Sequence, residues 1–342
     1  MATLSAQPAP APSRALQGIL CVEIGMLFFV GQDALMKSLL TLYPVWLLIF
    51  VRSIVTLLVL TPLIWWLGGP HRLLTPLWPL HLLRAFLFAS GFSMFYAAFP
   101  FMGLAEVSTI FFAAPLITAL MAALFLGETI GPHRSIALVV GFGGVLIAMN
   151  PAGENFSWAA ILPLLCAVTY AMSQIIARRI GDRESTLTVG LYTLTFAGVL
   201  ILPMGWFVNQ VIPITPDLAH LRWELPARAF SDLPRLALLG AIGMAGYMLL
   251  SRAYQVANAS LVAPFDYSYL PFATIVAWLL WDEVPGLNTL AGMALIIASG
   301  LYLGWRELRA ARRTDEVPVT AEAIFVPGSP LPPQIPEEES AQ

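Results

Sequence analysis

Residues 111–128 read FFAAPLITALMAALFLGE, and residues 267–283 read YSYLPFATIVAWLLWDE. Each is an apolar run with a proline near its start and an acidic residue at its end. Aligning Pro115 with Pro271 sets the two stretches 156 residues apart, and the same spacing places Gly144 on Gly300. Glu128 and Glu283 align with a one-residue gap. Each run continues into a Gly-containing apolar stretch, GFGGVLIAM (141–149) and GMALIIASGLYLG (292–304). The chain thus reads as two related halves, each closing on the same pattern.

Composition sets the medium. The chain has 342 residues, 58% of them hydrophobic and 11% charged, with a mean hydropathy of +0.80. Soluble domains run at about 45–50% apolar and about 25% charged. A bilayer span needs roughly 20 apolar residues, and apolar runs of that length recur along the chain. They place helices at 16–41, 44–67, 82–102, 104–126, 134–150, 157–178, 186–209, 235–254, 259–281 and 287–305. The expected organisation is a disordered tail over 1–15, five-helix repeats over 16–150 and 157–305, and a cytoplasmic tail over 306–342. That last tail is first basic, then acidic and Pro-rich. A longer connection, 210–234, carries Trp223.

Five helices per half is an odd number, so the second half enters the membrane inverted. The fold expected is all-α, with ten transmembrane helices in two inverted five-helix repeats around a central cavity. Inverted repeats with paired interrupted helices place substrate sites between the repeats near the bilayer midplane. Pro115 and Pro271 are therefore read as hinges beside a cavity; proline kinks in packed helices are the alternative.

Few charges lie well away from the ends of the spans, and each costs about 2.5–3.5 kcal/mol at a helix centre. They are Glu23, Asp33, Lys37, Arg52 and Asp266. Asp33 and Lys37 share a helix face at i, i+4. Asp33 precedes the first hairpin's midpoint by as many residues as Arg52 follows it, which puts the two at one depth. Asp33, Lys37 and Arg52 are expected to form one network with a cation to spare. It serves either to tie two helices together or to take an anionic substrate group. Glu23 and Asp266 are the carboxyls expected to exchange a proton during transport. Tyrosines and small polar residues, including Ser173, Tyr170 and Tyr269, interleave on the helices expected to line the cavity. Tyr96, Gln174, Tyr247 and Tyr267 are the expected substrate contacts, together with Arg52. A mostly apolar pocket with a few polar groups suits a planar or amphipathic metabolite.

Cys21 and Cys166 lie in apolar runs without metal-ligand spacing and read as buried thiols. The four histidines fall in expected loops or helix ends. No cofactor is implied, and neither metalloprotease, aspartyl nor serine-hydrolase motifs support an intramembrane enzyme. Without a Walker motif, an ion or substrate gradient is the expected driving force. No basic aromatic surface points to nucleic acid. The partners expected are a small-molecule substrate and the lipid bilayer, and a homodimer is compatible with both.

The ordered short motifs carry a family resemblance. In the first half they are Asp33-Ala-Leu-Met-Lys37, Phe50-Val-Arg52, Leu83-Arg84, Leu104-Ala-Glu106, Ala114-Pro115-Leu116 and Leu126-Gly-Glu128. In the second they are Ser251-Arg-Ala-Tyr254, Ala259-Ser-Leu-Val-Ala-Pro264, Leu270-Pro271 and Asp282-Glu283. Over about residues 16–305 the chain resembles the drug/metabolite transporter superfamily, in its EamA-type branch. The resemblance implies ten helices in a basket, with the last helix of each half peripheral. It implies a secondary transporter of a small metabolite such as an amino acid, a vitamin like riboflavin, or a nucleoside-like compound. A lipid or polyprenyl-carrier flippase of the same fold is the alternative. One departure is local: Trp281-Asp-Glu stands where the first half has Gly-Glu.

Cationic residues gather on one side, including Arg72, Arg134, Arg178, Arg183 and the cluster Arg306–Arg313. By the positive-inside rule both termini lie in the cytoplasm, of a bacterial inner membrane. A reporter fused after Arg313 is therefore expected to be active only when it reads the cytoplasm, while one near Glu154 reads the outside. The reverse pattern would invert the topology.

Overall fold

The computed structural model describes residues 12–68, 71–126, 131–153, 156–180, 183–257 and 259–314. Among them are helices and no strand. That follows from the medium: in hydrocarbon a backbone must satisfy its own polar groups, and a helix does so within one segment. The first half contains α1 (Pro12–Leu39), α2 (Val45–Leu67), α3 (Trp78–Ala97), α4 (Leu104–Phe111), α5 (Ala114–Leu126) and α6 (Pro132–Met149). The second contains α7 (Ile161–Ile180), α8 (Thr186–Val211), α9 (Leu233–Val256), α10 (Ala259–Val262), α11 (Tyr269–Trp281) and α12 (Leu287–Thr314).

Among the described residues nine helical stretches are long and apolar enough to cross a membrane. The expected ninth span, 259–281, is not one continuous helix and is absent from these nine. The four-residue α10 passes into a 3₁₀ turn over Ala263–Ser268 before α11 resumes. Its counterpart is milder, a turn at Phe112 and Ala113 between α4 and α5. Both α5 and α11 are 13 residues long, and Pro115 and Pro271 each stand in the first turn. There the missing N–H leaves no hydrogen bond inside the new helix unmade.

Three helices differ in their bounds from expectation. α1 begins at Pro12, inside the expected tail. α12 runs to Thr314 and so includes the basic segment from Arg306. α3 starts at Trp78, with Pro79 in its first turn, and ends at Ala97. This carries His81 and Arg84 into a helix where a connection or helix end was expected.

The packing exchanges the halves. α1 lies along α9 as α7 lies along α3, while α2 pairs with α8 and α6 with α12. Each pair is antiparallel, as inverted repeats require. Thus Trp46 packs at Gly205 and Ser53 at Gly198. The spacing between equivalent residues is not constant. Pro62 in α2 and Pro203 in α8 stand 141 residues apart, whereas α5 and α11 begin 155 apart. The shift falls at the connection 212–232, which is longer than its counterpart 68–77.

That connection forms a cap. Trp46 Nε1 donates to the Leu221 carbonyl at 2.8 Å, and Asn209 Nδ2 donates to the same oxygen at 2.8 Å. Tyr43 Oη donates to Asp232 at 2.6 Å, and this bond raises the phenol's pKa. The Arg228 guanidinium donates to the Leu42 carbonyl. His220 is buried in the cap beside Phe101, and burial holds its pKa below the ordinary value. The opposite face carries the connections around 71–77 and 183–185, where His71 Nδ1 lies 2.6 Å from Ser185 Oγ, Arg72 N donates to Thr188 at 2.8 Å and His81 lies 2.7 Å from Glu184.

α6 and α12 meet at glycines. A Cβ on Gly144 would stand 2.9 Å from the Gly292 carbonyl oxygen, whereas one on Gly143 meets nothing within 4 Å. Gly300, which aligns with Gly144 in sequence, instead makes room for the Tyr267 ring. Gly144→Ala is expected to cost about 1–3 kcal/mol through overpacking, read as a lower thermal midpoint in detergent. Gly143→Ala should leave the midpoint unchanged or raise it. Equal effects would show that the backbones do not meet as described.

Candidate functional site

The most polar part of the interior centres on Asp33, in α1. Its Oδ2 accepts from Tyr269 Oη at 2.6 Å. Its Oδ1 accepts from Tyr96 Oη at 3.1 Å and from Gln32 Nε2 at 3.3 Å. Arg52, from α2, donates through Nη1 to Tyr96 Oη at 2.8 Å. The guanidinium carbon lies 5.8 Å from the Phe92 ring centre and 5.7 Å from that of Tyr96. Arg52 and Asp33 are thus linked through a tyrosine rather than directly. The donors come from both halves, because Tyr269 opens α11 just after the 3₁₀ break. That break turns the chain so that Tyr269 faces α1, and Ser108 of α4 lies 3.4 Å from its hydroxyl.

A small cavity adjoins this network, with Phe29, Gln32, Asp33, Arg52, Thr56, Phe88, Phe92, Phe95, Tyr96, Leu194, Gly243, Met244 and Tyr247 in its walls. Its free volume is about 60 Å³, far below the roughly 300–1,000 Å³ of a ligand pocket. In this conformation it is closed around its own polar groups. A larger cleft of about 650 Å³ opens on the cap face. Lys37, Phe99, Phe101, Glu106, Trp281 and Glu283 are in its walls, with His220 and Asp217 from the cap.

The single network expected of Asp33, Lys37 and Arg52 is not what forms. Lys37 sits one helical turn nearer the cap and pairs with Glu283, while its ammonium stands 5.0 Å from the Trp281 ring centre. Glu283 also accepts from Leu104 N at 3.2 Å, capping α4 from the other half. Asp282 explains how Glu283 gets there. It takes a left-handed conformation, φ 55°, at the end of α11, a place Asp tolerates better than most residues. The chain turns there and aims Glu283 back at α1. The corresponding Gly127 and Glu128 lie outside the described residues.

Of the other expected residues, Tyr96, Arg52 and Tyr247 come together at the cavity. Gln174 does not: it accepts from Arg84 Nη2 at 3.3 Å in a separate buried cluster. Tyr267 packs on Phe112, with ring centres 5.5 Å apart. Asp266, in the 3₁₀ turn, accepts from Tyr254 Oη at 3.2 Å. Glu23 is half-buried on α1, away from the network. Two participants in the Asp33 network lie outside the expected substrate contacts, Gln32 and Tyr269, and Arg84 organises the separate cluster. Gln32 is Asp33's own neighbour, and a buried carboxylate calls for such donors. Tyr269 stood among the interleaved tyrosines.

A broken-helix bundle of inverted halves, with a buried charged network between them and no catalytic constellation among the described residues, defines a membrane transporter. The EamA-like transporter family matches the chain twice, over residues 16–150 and 157–304, and the chain belongs to that family. An S-adenosylmethionine uptake transporter of Rickettsia felis is 26% identical over 301 residues, covering 88% of this chain and 97% of the relative. A riboflavin transporter of Vibrio cholerae is 28% identical over 274 residues, covering 78% and 85%. A pseudopaline exporter of Pseudomonas aeruginosa is 28% identical over 289 residues, covering 84% and 95%. A solved crystal structure superposes with a TM-score of 0.53 at 18% identity, over 85% of this chain and 96% of that one. The protein is a multi-pass membrane transporter of a small metabolite and not an enzyme.

The Asp33–Tyr269 bond crosses between the halves, so its loss should register in stability. Tyr269→Phe is expected to cost about 1–2 kcal/mol, seen as a lower thermal midpoint of the purified protein. Tyr267→Phe, two residues away and without a hydrogen bond from its hydroxyl among the described residues, should be near neutral. Equal midpoints for the two variants would remove Asp33 from the junction.

Proposed function

We propose that the metabolite binds where Asp33, Arg52 and Tyr96 meet, between the two halves, and that its anionic or hydrogen-bonding group displaces the Tyr96 hydroxyl from Arg52. The observation that carries this is the Arg52–Tyr96–Asp33 relay beside Phe92, Phe95 and Tyr247. Six aromatic rings border the cavity, which suits a substrate with a planar ring system. A guanidinium already bonded to a neutral hydroxyl gains by exchanging it for an anion. The cleft on the cap face is the approach, and Lys37 with Glu283 lines that approach rather than the site.

Further parts of the reading rest on sequence. Residues 16–150 and 157–305 act as the two moving units, with Pro115 and Pro271 at their hinges. Both termini lie in the cytoplasm of a bacterial inner membrane. Asp33 takes over the coupling role from Glu23 and Asp266, because its hydrogen bonds join the halves. A homodimer is compatible with this arrangement, and nucleic acid has no part in it.

Named relatives supply the first substrates to try: S-adenosylmethionine, riboflavin and pseudopaline. Uptake into proteoliposomes, with untargeted metabolite comparison of cells with and without the protein, tests the assignment. Arg52→Ala should reach the membrane in normal amount and lose transport about 10- to 100-fold, the worth of a charged hydrogen bond. Arg52→Lys should recover part of it, since Lys keeps charge without the planar fork. Full transport by Arg52→Ala would move the site elsewhere. A change in envelope lipid asymmetry without metabolite transport would instead favour the flippase.

A further inference from the structure

The cluster around Arg84 is the inverted-repeat image of the candidate site. Pro62 and Pro203 fix the spacing of the first two helices of each half at 141 residues. The same spacing carries Gln32 to Ser173, Asp33 to Gln174 and Arg52 to Thr193. These three are the residues that Arg84 holds. Its Nε donates to the Ser173 carbonyl at 3.2 Å, Nη1 to Thr193 Oγ1 at 2.6 Å and Nη2 to Gln174 Oε1 at 3.3 Å. Arg84 is fully buried.

The partner helices obey the same exchange. Gly25 and Phe28 of α1 pack at Gly246 of α9, as Cys166 and Thr169 of α7 pack at Gly91 of α3. Cys166 follows Gly25 and Thr169 follows Phe28 by 141 residues, and Gly246 follows Gly91 by 155, the spacing that also separates the starts of α3 and α9, Trp78 and Leu233. There are therefore two polar half-sites, one on α1 and α2 and one on α7 and α8, and both of their arginines belong to the first half. In the first the arginine comes from α2 and is balanced by Asp33. In the second it comes from α3, where the carboxylate is replaced by Gln174 and the arginine of α2 by Thr193.

Only the first half-site lines the cavity in this conformation. Alternating access in inverted-repeat proteins moves one repeat against the other around a common site. Exchanging the arrangements of the two halves would close the first half-site and line the cavity with the second. We propose that Arg84, with Gln174 and Thr193, forms a second binding station that takes the anionic group of the metabolite, a carboxylate or phosphate, when the protein opens toward the face of its termini. Arg52 holds that group on the cap side, and Arg84 receives it on the other. The inference rests on the central cavity being the transport site.

Single cysteines read this without knowledge of the substrate. In a background with Cys21→Ser and Cys166→Ala, Gln174→Cys and Thr56→Cys are labelled in sealed vesicles of both orientations, with sidedness set by a terminal tag. The probes are membrane-impermeant methanethiosulfonates, one bearing a sulfonate and one a trimethylammonium. Gln174→Cys should react only from the side of the termini. Its ratio of anionic to cationic rate should fall about tenfold with Arg84→Gln and hold with Arg84→Lys. Monodisperse protein in both variants shows that they fold, and if Arg84→Gln does not, Arg84→Lys against the parent still reports whether Gln174→Cys opens. Gln174→Cys inert from both sides, or a ratio untouched by Arg84→Gln, would overturn the second station. Thr56→Cys separates the two ideas. If it reacts from the cap side while Gln174→Cys stays inert, only this inference falls; if neither reacts, the central cavity itself is not on the path.

Discussion

A carboxylate inside an apolar bundle dictates much of what surrounds it. Asp33 is nearly fully buried, where an unpaired charge is costly. It needs donors, and one helix cannot supply enough of them. Gln32 gives one from the same helix, Tyr96 a second from α3 and Tyr269 a third from the other half. Each demand has a structural consequence. Tyr269 reaches Asp33 because the ninth span breaks at Ala263–Ser268 and restarts at Tyr269. Arg52 is buried with Asp33 and tied to it through the Tyr96 hydroxyl, which accepts from the guanidinium and donates to the carboxylate. The network is thus both a polar centre of the bundle and a hydrogen-bonded seam between its two halves.

Around that seam the apolar contacts follow one rule of exchange. Helices that pair across the halves do so antiparallel, and small residues set how close they come. Gly144 against Gly292, and Ser53 against Gly198, let backbones approach where larger side chains would hold them apart. Such contacts are tight but carry no directional bonds. Directional links across the halves lie both inside the bundle, at Asp33, the Lys37–Glu283 pair and the Arg84 cluster, and at its two ends, where Tyr43 and Trp46 hold the cap and Arg72 and His81 meet Thr188 and Glu184.

Much of the architecture was legible in the sequence, because a bilayer leaves a strong mark on composition. The number of spans, their order and the paired prolines follow from apolar runs of the right length. The equal depth of Asp33 and Arg52 followed from counting along a hairpin. What stayed hidden has particular causes. The partner of Lys37 lies 246 residues away, and no local pattern announces it. Arg84 reads as a helix end because Pro79 and His81 resemble a connection, whereas α3 begins before both. The second half-site is hidden because no single spacing relates the halves: it is 141 before the cap and 155 after it, and only the first value brings Ser173, Gln174 and Thr193 into register with Gln32, Asp33 and Arg52.

The cap belongs to one half alone. Its counterpart, 68–77, is a short connection on the opposite face, so the inverted copies differ where they close the two ends of the bundle. Were the halves identical, the conformations facing either way would be mirror states of equal free energy. Hydrogen bonds from Trp46, Asn209 and Tyr43 to the cap exist on one end only, so that degeneracy is lifted. The empty carrier then has a preferred way to face. Such a preference fixes how long it waits on each side and how much substrate it needs there to half-saturate. It cannot fix the direction of net flow, which belongs to the gradients on the two sides.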